Sequence, residues 1–337
     1  MNFTRRGFTA GAALLPFAAY AQDPAVRARL NAIKPAGFPR DPIEMTVVYP
    51  AGGGMDITAR VVQRFFDRAT GERSLVNNRT GGAGLVGHTW LATQAPADGH
   101  AVGIIANLIF SDAVRSQGRW SWTDLDHIAH INAEPLNLVV NAEGPFKTGG
   151  LQGILDAAKA RPGTIRVLNV PGGYYEYLIE QLEAAAGARF LRVPFQGGAP
   201  GITALLGNNI DLGFGFFAEV RGHLAANRLL PIAVTGRQRT VFLPDTPTVN
   251  NITGRDDVNW GVSRWVAVPK AVPADRKAWL AAAFQAAIAD PEAAQEFRNL
   301  GALPNPALDT AAKVAADVAV MAEAEREFLI RSGRAQR

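Results

Sequence analysis

The chain has no cysteine in its 337 residues. Disulfides, thiolate metal sites and cysteine nucleophiles are therefore excluded. Lysine and arginine never gather into a run and no nucleic-acid motif occurs, so no nucleic-acid partner is expected. Beyond the N-terminal segment, no stretch is apolar for long enough to cross a bilayer as a helix. The hydrolase signatures G-x-S-x-G and H-E-x-x-H are missing, as is a P-loop. The five histidines include one close pair, His127 and His130, read as a turn entering a strand rather than a metal site. Neither a metal nor a cofactor is expected.

What is present describes a folded protein: 48% hydrophobic and 19% charged residues, in a chain long enough for two domains. Arg5 and Arg6 precede an apolar run from Ala10 to Ala19, and Ala19-Tyr20-Ala21 is an A-x-A cleavage pattern. Residues 1–21 thus read as an export signal. Thr4-Arg5-Arg6-Gly7-Phe8 gives it a twin-arginine character, with a Sec signal as the alternative. The mature protein is expected in the periplasm, as a monomer.

The organising stretch is Pro50-Ala51-Gly52-Gly53-Gly54-Met55-Asp56. It lies between an apolar run, Met45 to Tyr49, and a helical repeat of Ile57, Val61, Val62, Phe65 and Phe66. Glycines let a ligand approach the backbone. The unpaired amides of the following helix favour an anion, and Asp56 is placed to cap the first turn. The same order of strand, glycine turn and helix recurs at Gly81–Gly87, Pro171–Gly173 and Gln196–Pro200. Strands alternating with helices in two blocks predict an α/β protein with mostly parallel sheets flanked by helices. The blocks are residues 22–137, then 138–258, with 259–337 returning to the first block and packing its helices there. Ligands of open α/β sheets sit beyond the carboxyl ends of strands, so the four loops should surround one interdomain cleft.

These residues resemble the Bug family, the periplasmic solute-binding receptors of tripartite tricarboxylate transporters. The likeness covers nearly all of the mature chain. It rests on Pro50 to Asp56, Asn78 to Gly87, Ala97-Asp98-Gly99-His100, Val193 to Pro200, Asn209 to Leu212, Ala233 to Arg239 and Leu243 to Thr248. The resemblance implies a two-domain periplasmic binding protein of the type II, Venus-flytrap kind. It also implies that a small organic acid is held by loop backbone groups and passed to inner-membrane transporter subunits. Carried over by position, the contacts would come from Gly53, Gly54, Asp56, Gly82, Ala83, Gly84 and Asn107 in the first domain. Gly172, Gly173, Tyr174, Gly198 and Ala199 would supply them in the second.

The chain departs from the family pattern at Tyr174-Tyr175-Glu176-Tyr177 and at Gly215-Phe216-Phe217. Aromatic faces can stack on a planar ligand, so a carboxylate with an aromatic or apolar body is expected. Strand alternation separates Phe214 and Phe216 from Phe217, and Phe217 is assigned to the cleft. Glu134, Glu176 and Glu219 fall near the expected cleft edges and Arg264 near the return crossover. The glutamates are read as solvated helix or rim positions, with a ligand that carries an amine as well as a carboxylate as the alternative, and Trp265 as a hinge anchor. Two other readings stay open. One is a receptor feeding a sensor kinase. The other is a dinucleotide-binding oxidoreductase, because Gly82-Ala83-Gly84-Leu85-Val86-Gly87 fits G-x-G-x-x-G but lacks the acidic residue about 20 positions on.

Overall fold

Apolar runs alternating with helical repeats become ten strands and twelve α-helices among the described residues of a computed structural model. Those residues are 24–256, 258, 261–331 and 333–335; the expected export signal lies outside them. The strands are β1 (Ile43–Val47), β2 (Ser74–Asn78), β3 (Ala101–Ala106), β4 (Leu125–Pro135), β5 (Asn137–Asn141), β6 (Arg166–Asn169), β7 (Leu191–Pro194), β8 (Gly213–Gly215), β9 (Leu229–Val234) and β10 (Gly261–Pro269). The first six helices are α1 (Pro24–Ala32), α2 (Gly54–Thr70), α3 (Leu85–Thr93), α4 (Leu108–Arg115), α5 (Gly150–Ala160) and α6 (Tyr174–Ala186). Then come α7 (Gly198–Leu206), α8 (Phe217–Ala225), α9 (Val249–Thr253), α10 (Ala274–Ala289), α11 (Pro291–Asn299) and α12 (Ala311–Arg331).

One lobe is built on the sheet β2-β1-β3-β10-β4. All six residues of β3 are buried because both sheet faces are covered. Val102, Ile104 and Ala106 pack with Val62, Phe66, Trp279 and Phe284 of α2 and α10. Ile105 packs on the other side, with Leu91 of α3, Trp265 of β10, and Val314 and Val318 of α12. The C-terminal helices thus lie against this first sheet. The second lobe carries the sheet β8-β5-β9 and the pair β6-β7, tied together by a bridge from Val167 to Leu212. Its core includes Leu138, Leu168, Leu178, Leu205 and Phe214.

The strand sense corrects the expectation of mostly parallel sheets. Pairs β1–β2, β1–β3 and β6–β7 are parallel, whereas β3–β10, β4–β10, β5–β8 and β5–β9 are antiparallel. The physical reason is the way the chain changes lobes. Only Leu136 separates β4 from β5, and β10 comes back from the second lobe into the gap between β3 and β4. Neither passage is a helical crossover, so neither imposes parallel pairing. His127 and His130 lie within β4 rather than in a turn before it. Trp265 Nε1 donates to His127 Nδ1 at 2.5 Å, and His130 Nε2 sits 3.2 Å from Ser263 Oγ. Burial lowers both pKa values to about 4, which keeps the rings neutral. No cluster of three metal-ligating side chains exists among the described residues.

Candidate functional site

Loop one leads from β1 to α2, and three of its amides are already bonded within the chain. Gly53 N–H donates to Pro50 O at 3.3 Å, and Gly52 N–H donates to Asp56 Oδ2 at 3.0 Å. Asp56 is therefore turned back onto its own loop, where Arg60 Nε and Nη2 grip both of its oxygens at 3.0 Å. Burial would raise the Asp56 pKa, but the Arg60 and Gly52 hydrogen bonds outweigh it and the pKa falls. The N-cap of α2 is Gly53, with no side-chain cap. The first helical amide, Gly54 N–H, instead donates at 2.9 Å to Glu219 Oε1, from α8 of the opposite lobe.

Loops two and three also face each other across the lobes, and a cation closes the gap. Arg115 of α4 donates from Nη2 to Gly82 O at 2.9 Å and from Nη1 to Gly172 O at 3.4 Å. Its Nη1 is held in place by Asp112 Oδ1 at 2.7 Å, and Asp112 Oδ2 meets buried His88 Nδ1 at 2.7 Å. Gly173 N–H donates to Val170 O at 2.9 Å and Gly172 N–H to Glu176 Oε2 at 2.6 Å. Between Gly82 and Gly172 the seam is thus occupied by Arg115, while Gly173 and Tyr174 of loop three face the other half.

The remaining half holds a small cavity of about 70 Å³ that opens to solvent. Gly53, Gly54, Gly197, Gly198 and Ala199 form the backbone walls. Tyr49, Met55, Leu108, Val170, Tyr174, Tyr175, Phe216 and Val262 supply an almost wholly apolar lining. Added bulk at loop one would crowd the cavity wall, since a Cβ on Gly54 would stand 3.0 Å from Phe216 Cδ2 and 3.2 Å from Arg264 Nη2.

Two charged side chains reach this apolar space, Arg264 and Glu219. Arg264 is 0% exposed. Its Nη1 donates to Asn132 Oδ1 at 3.0 Å and to Glu134 Oε1, and its guanidinium lies 4.7 Å from the centre of the Phe216 ring. Nε and Nη2, which share the opposite edge of the guanidinium, have no partner among the described residues. That edge presents two parallel N–H groups and fits a carboxylate bidentately. The protein uses the same edge at Arg60–Asp56 and at Arg166–Asp211, where Nε and Nη2 reach the two oxygens at 3.0 and 2.7 Å. Glu134 is pushed up to about 7 by burial, against the pull of Arg264. Glu219 is also raised by burial, opposed by hydrogen bonds from Phe216 and Gly54 N–H, each at 2.9 Å. Each of its two oxygens accepts one backbone N–H.

Of the residues assigned from sequence, Gly53, Gly54, Gly173, Tyr174, Gly198 and Ala199 line the cavity. The others lie elsewhere, each for a visible reason. Asp56 is folded back on Arg60, and Gly82 and Gly172 meet Arg115. Ala83 packs into the second-lobe core, and Gly84, with φ of 111°, abuts Asp112 and the Tyr49 hydroxyl. Asn107 pins the returning strand by donating to Gly261 O and accepting from Ser263 N–H, both at 3.2 Å. Phe217 is displaced by the end of the strand. Strand β8 stops at Gly215 and α8 starts at Phe217, so alternation no longer applies there. Phe217 turns to Gly301 and to the Phe242 ring, 5.5 Å away, while Phe216 takes the cavity wall and Phe214 the core. Glu134 is buried rather than solvated, Glu219 is half-buried and held by two backbone amides, and Trp265 packs against Phe110 and His127. Sequence reasoning passed over Arg264 as a site residue. The signal available was an arginine, with only Ser263 as polar company, inside the apolar strand Val262 to Val268.

Comparison with known proteins places these features in context. Residues 58–322 match the family described as the tripartite tricarboxylate transporter family receptor. A relative from Pseudomonas sp. strain P51, the UPF0065 protein in the tcbD-tcbE intergenic region, is 30% identical over 78% of this chain and 79% of its own length. The periplasmic binding protein BugD superposes with a TM-score of 0.81 at 24% identity, covering 89% of this chain and all of that one. MatC from Rhodopseudomonas palustris, solved with bound malate, superposes with a TM-score of 0.77 at 20% identity over 85% of this chain and 98% of its own. The last two likenesses establish the periplasmic-binding fold.

Proposed function

Because the chain belongs to the tripartite tricarboxylate transporter receptor family, we propose that it is a periplasmic receptor that captures one small carboxylate. In this reading the ligand has an apolar or aromatic body, sits between the lobes, and is passed unaltered to inner-membrane transporter subunits. The observation that carries the reading is the unpaired Nε/Nη2 edge of Arg264, a residue that lines the apolar cavity. A buried guanidinium with two orphaned donors is costly to keep, on the order of 1–3 kcal/mol per missing bond. A ligand carboxylate would satisfy both donors at once. The aromatic and aliphatic walls would hold the body, adding roughly 25 cal/mol for each Å² of apolar surface withdrawn from water. Contacts from both lobes bias the pair toward closure, which is the signal that a permease reads.

The family relation and the malate bound by MatC support the class of ligand, while the apolar lining of this cavity supports the nature of the body. No residue in the cavity forms the pairing of nucleophile and base that covalent chemistry would need, and binding without turnover is the simpler account. The test is mass spectrometry of the compound that copurifies from the periplasm, followed by titration of that compound into wild type and Arg264→Lys. A carboxylic acid bound by wild type and lost in the variant supports the reading. A copurifying compound without a carboxylate would overturn it.

A further inference from the structure

In the observed closure, the two lobes are joined through a carboxylate that belongs to the chain itself. Glu219 leaves α8 of the second lobe and receives Gly54 N–H, the first amide of the seventeen-residue helix α2, at 2.9 Å. Its other oxygen receives Phe216 N–H, just before the start of α8, at 2.9 Å. One anion therefore sits on two helix N-termini, each equivalent to about half a positive charge. The same carboxylate presses on loop four, where a Cβ on Gly198 would stand 3.0 Å from both of its oxygens. An incoming carboxylate cannot take the Gly54 amide at the start of α2 without displacing Glu219.

Arg264 is different in kind. It is 0% exposed, and its Nε and Nη2 have no partner among the described residues. The cavity thus presents two positively polarised seats, and the chain's own acid fills one of them. From this we infer that the receptor selects monocarboxylates: Glu219 takes the place of a second ligand carboxylate on α2, and Arg264 takes the only carboxylate that the ligand brings. The inference rests on the receptor reading above and narrows it to a ligand class. The lining agrees, because a second ionised group without a seat would be stranded among Met55, Leu108, Val170, Phe216 and Val262. An unpaired charge in such surroundings is strongly disfavoured. Repulsion from Glu219 would add to the exclusion.

The experiment is calorimetric titration with matched pairs, hexanoate against adipate and benzoate against terephthalate, with hexanamide as the neutral control. Wild type should bind the better monocarboxylate at least tenfold more tightly than its matched dicarboxylate. Glu219→Ala should raise the affinity for adipate or terephthalate at least tenfold relative to that for the matched monocarboxylate measured in the same variant. Glu219→Gln preserves shape and removes the charge, and should show a smaller gain in the same direction. It is the variant to be read if Glu219→Ala loses its cooperative melt. Wild type binding a dicarboxylate as tightly as its matched monocarboxylate would overturn the inference and leave the receptor reading standing. Folded Glu219 variants with no gain for dicarboxylates would do the same. Hexanamide binding as well as hexanoate, or no binding of any of the four acids, would overturn the receptor reading and the inference with it.

Discussion

The two halves of the interlobe seam use the same parts to opposite ends. Between loops two and three, Arg115 has donors on Asp112, Gly82 and Gly172, so the glycines there receive a clasp. Between loops one and four, buried Arg264 keeps one edge open and the glycines bound a cavity. Glycine-rich turns beside helix starts permit close approach in both halves. What approaches is decided by a side chain from a distant part of the sequence. The difference also separates cost from purpose. Arg115 is partly solvated and its partners are satisfied, whereas Arg264 has given up water without regaining all of its hydrogen bonds. An unsatisfied buried group of that kind is more readily explained by a ligand than by stability.

The comparison breaks first, if it is wrong, at Arg264. Arg264→Lys keeps a positive charge beside Glu134 but loses the two-pronged edge. Affinity should fall on the order of 100-fold, the equivalent of about 3 kcal/mol for a charge-assisted bidentate contact. The melting temperature should stay within a few degrees, as differential scanning fluorimetry would show. Unchanged affinity would place the ligand outside this half of the seam.

Paired glycine substitutions sharpen the contrast. In Gly54→Ala the methyl group meets Phe216 and Arg264, so calorimetry should record roughly tenfold weaker binding with little change in stability. In Gly84→Ala the backbone is held at φ of 111°, so urea unfolding should show a loss of about 1–2 kcal/mol, with the intrinsic affinity preserved. Exchange of those two phenotypes would mean that the halves had been assigned the wrong way round.

pH separates the halves as well. Around Glu134 stand Arg264, Asn132 and Glu219, and a ligand carboxylate arriving on Arg264 would add negative charge to this group. With Glu134 already raised to about 7, binding should take up a proton, and affinity should weaken by up to about tenfold as the pH rises from 7 to 8. Titrations in buffers of different ionisation enthalpy would measure that proton. Stability should follow the same direction. Burial also holds Glu325, beneath Ser111, at about 7 when folded, against 4.5 for the free carboxyl. Its proton stays on in the folded chain after the unfolded chain has lost it, so this contribution favours folding below pH 4.5 and is lost as the pH rises through 7. Glu325→Gln should flatten the fall in melting temperature between pH 5 and 8.

The smallest effect is expected at the clasp. Arg115→Met removes the link between Gly82 and Gly172 without touching the cavity, and should weaken affinity only a few-fold by making closure less favourable. A loss as large as that of Arg264→Lys would make the clasp part of the binding site.

Local chemistry alone settled a good deal about this protein. Apolar runs fixed the positions of β1 and β3, and the 3.6-residue repeat of Ile57 to Phe66 fixed α2, because burial patterns follow from side-chain spacing. Glycine turns at the strand ends marked where a ligand could come close, and loops one and four do wall the cavity. What sequence could not decide is which amides remain free and which charges are buried. Asp56 and Glu219 are both acids near a helix start, yet one folds back on Arg60 while the other crosses to the opposite lobe. Arg264 sits in an extended, apolar run whose neighbours, Asn132, Glu134 and Phe216, come from distant segments. Hydrogen-bond partners and desolvation depend on what folding brings within about 3 Å, and that is a property of the tertiary structure.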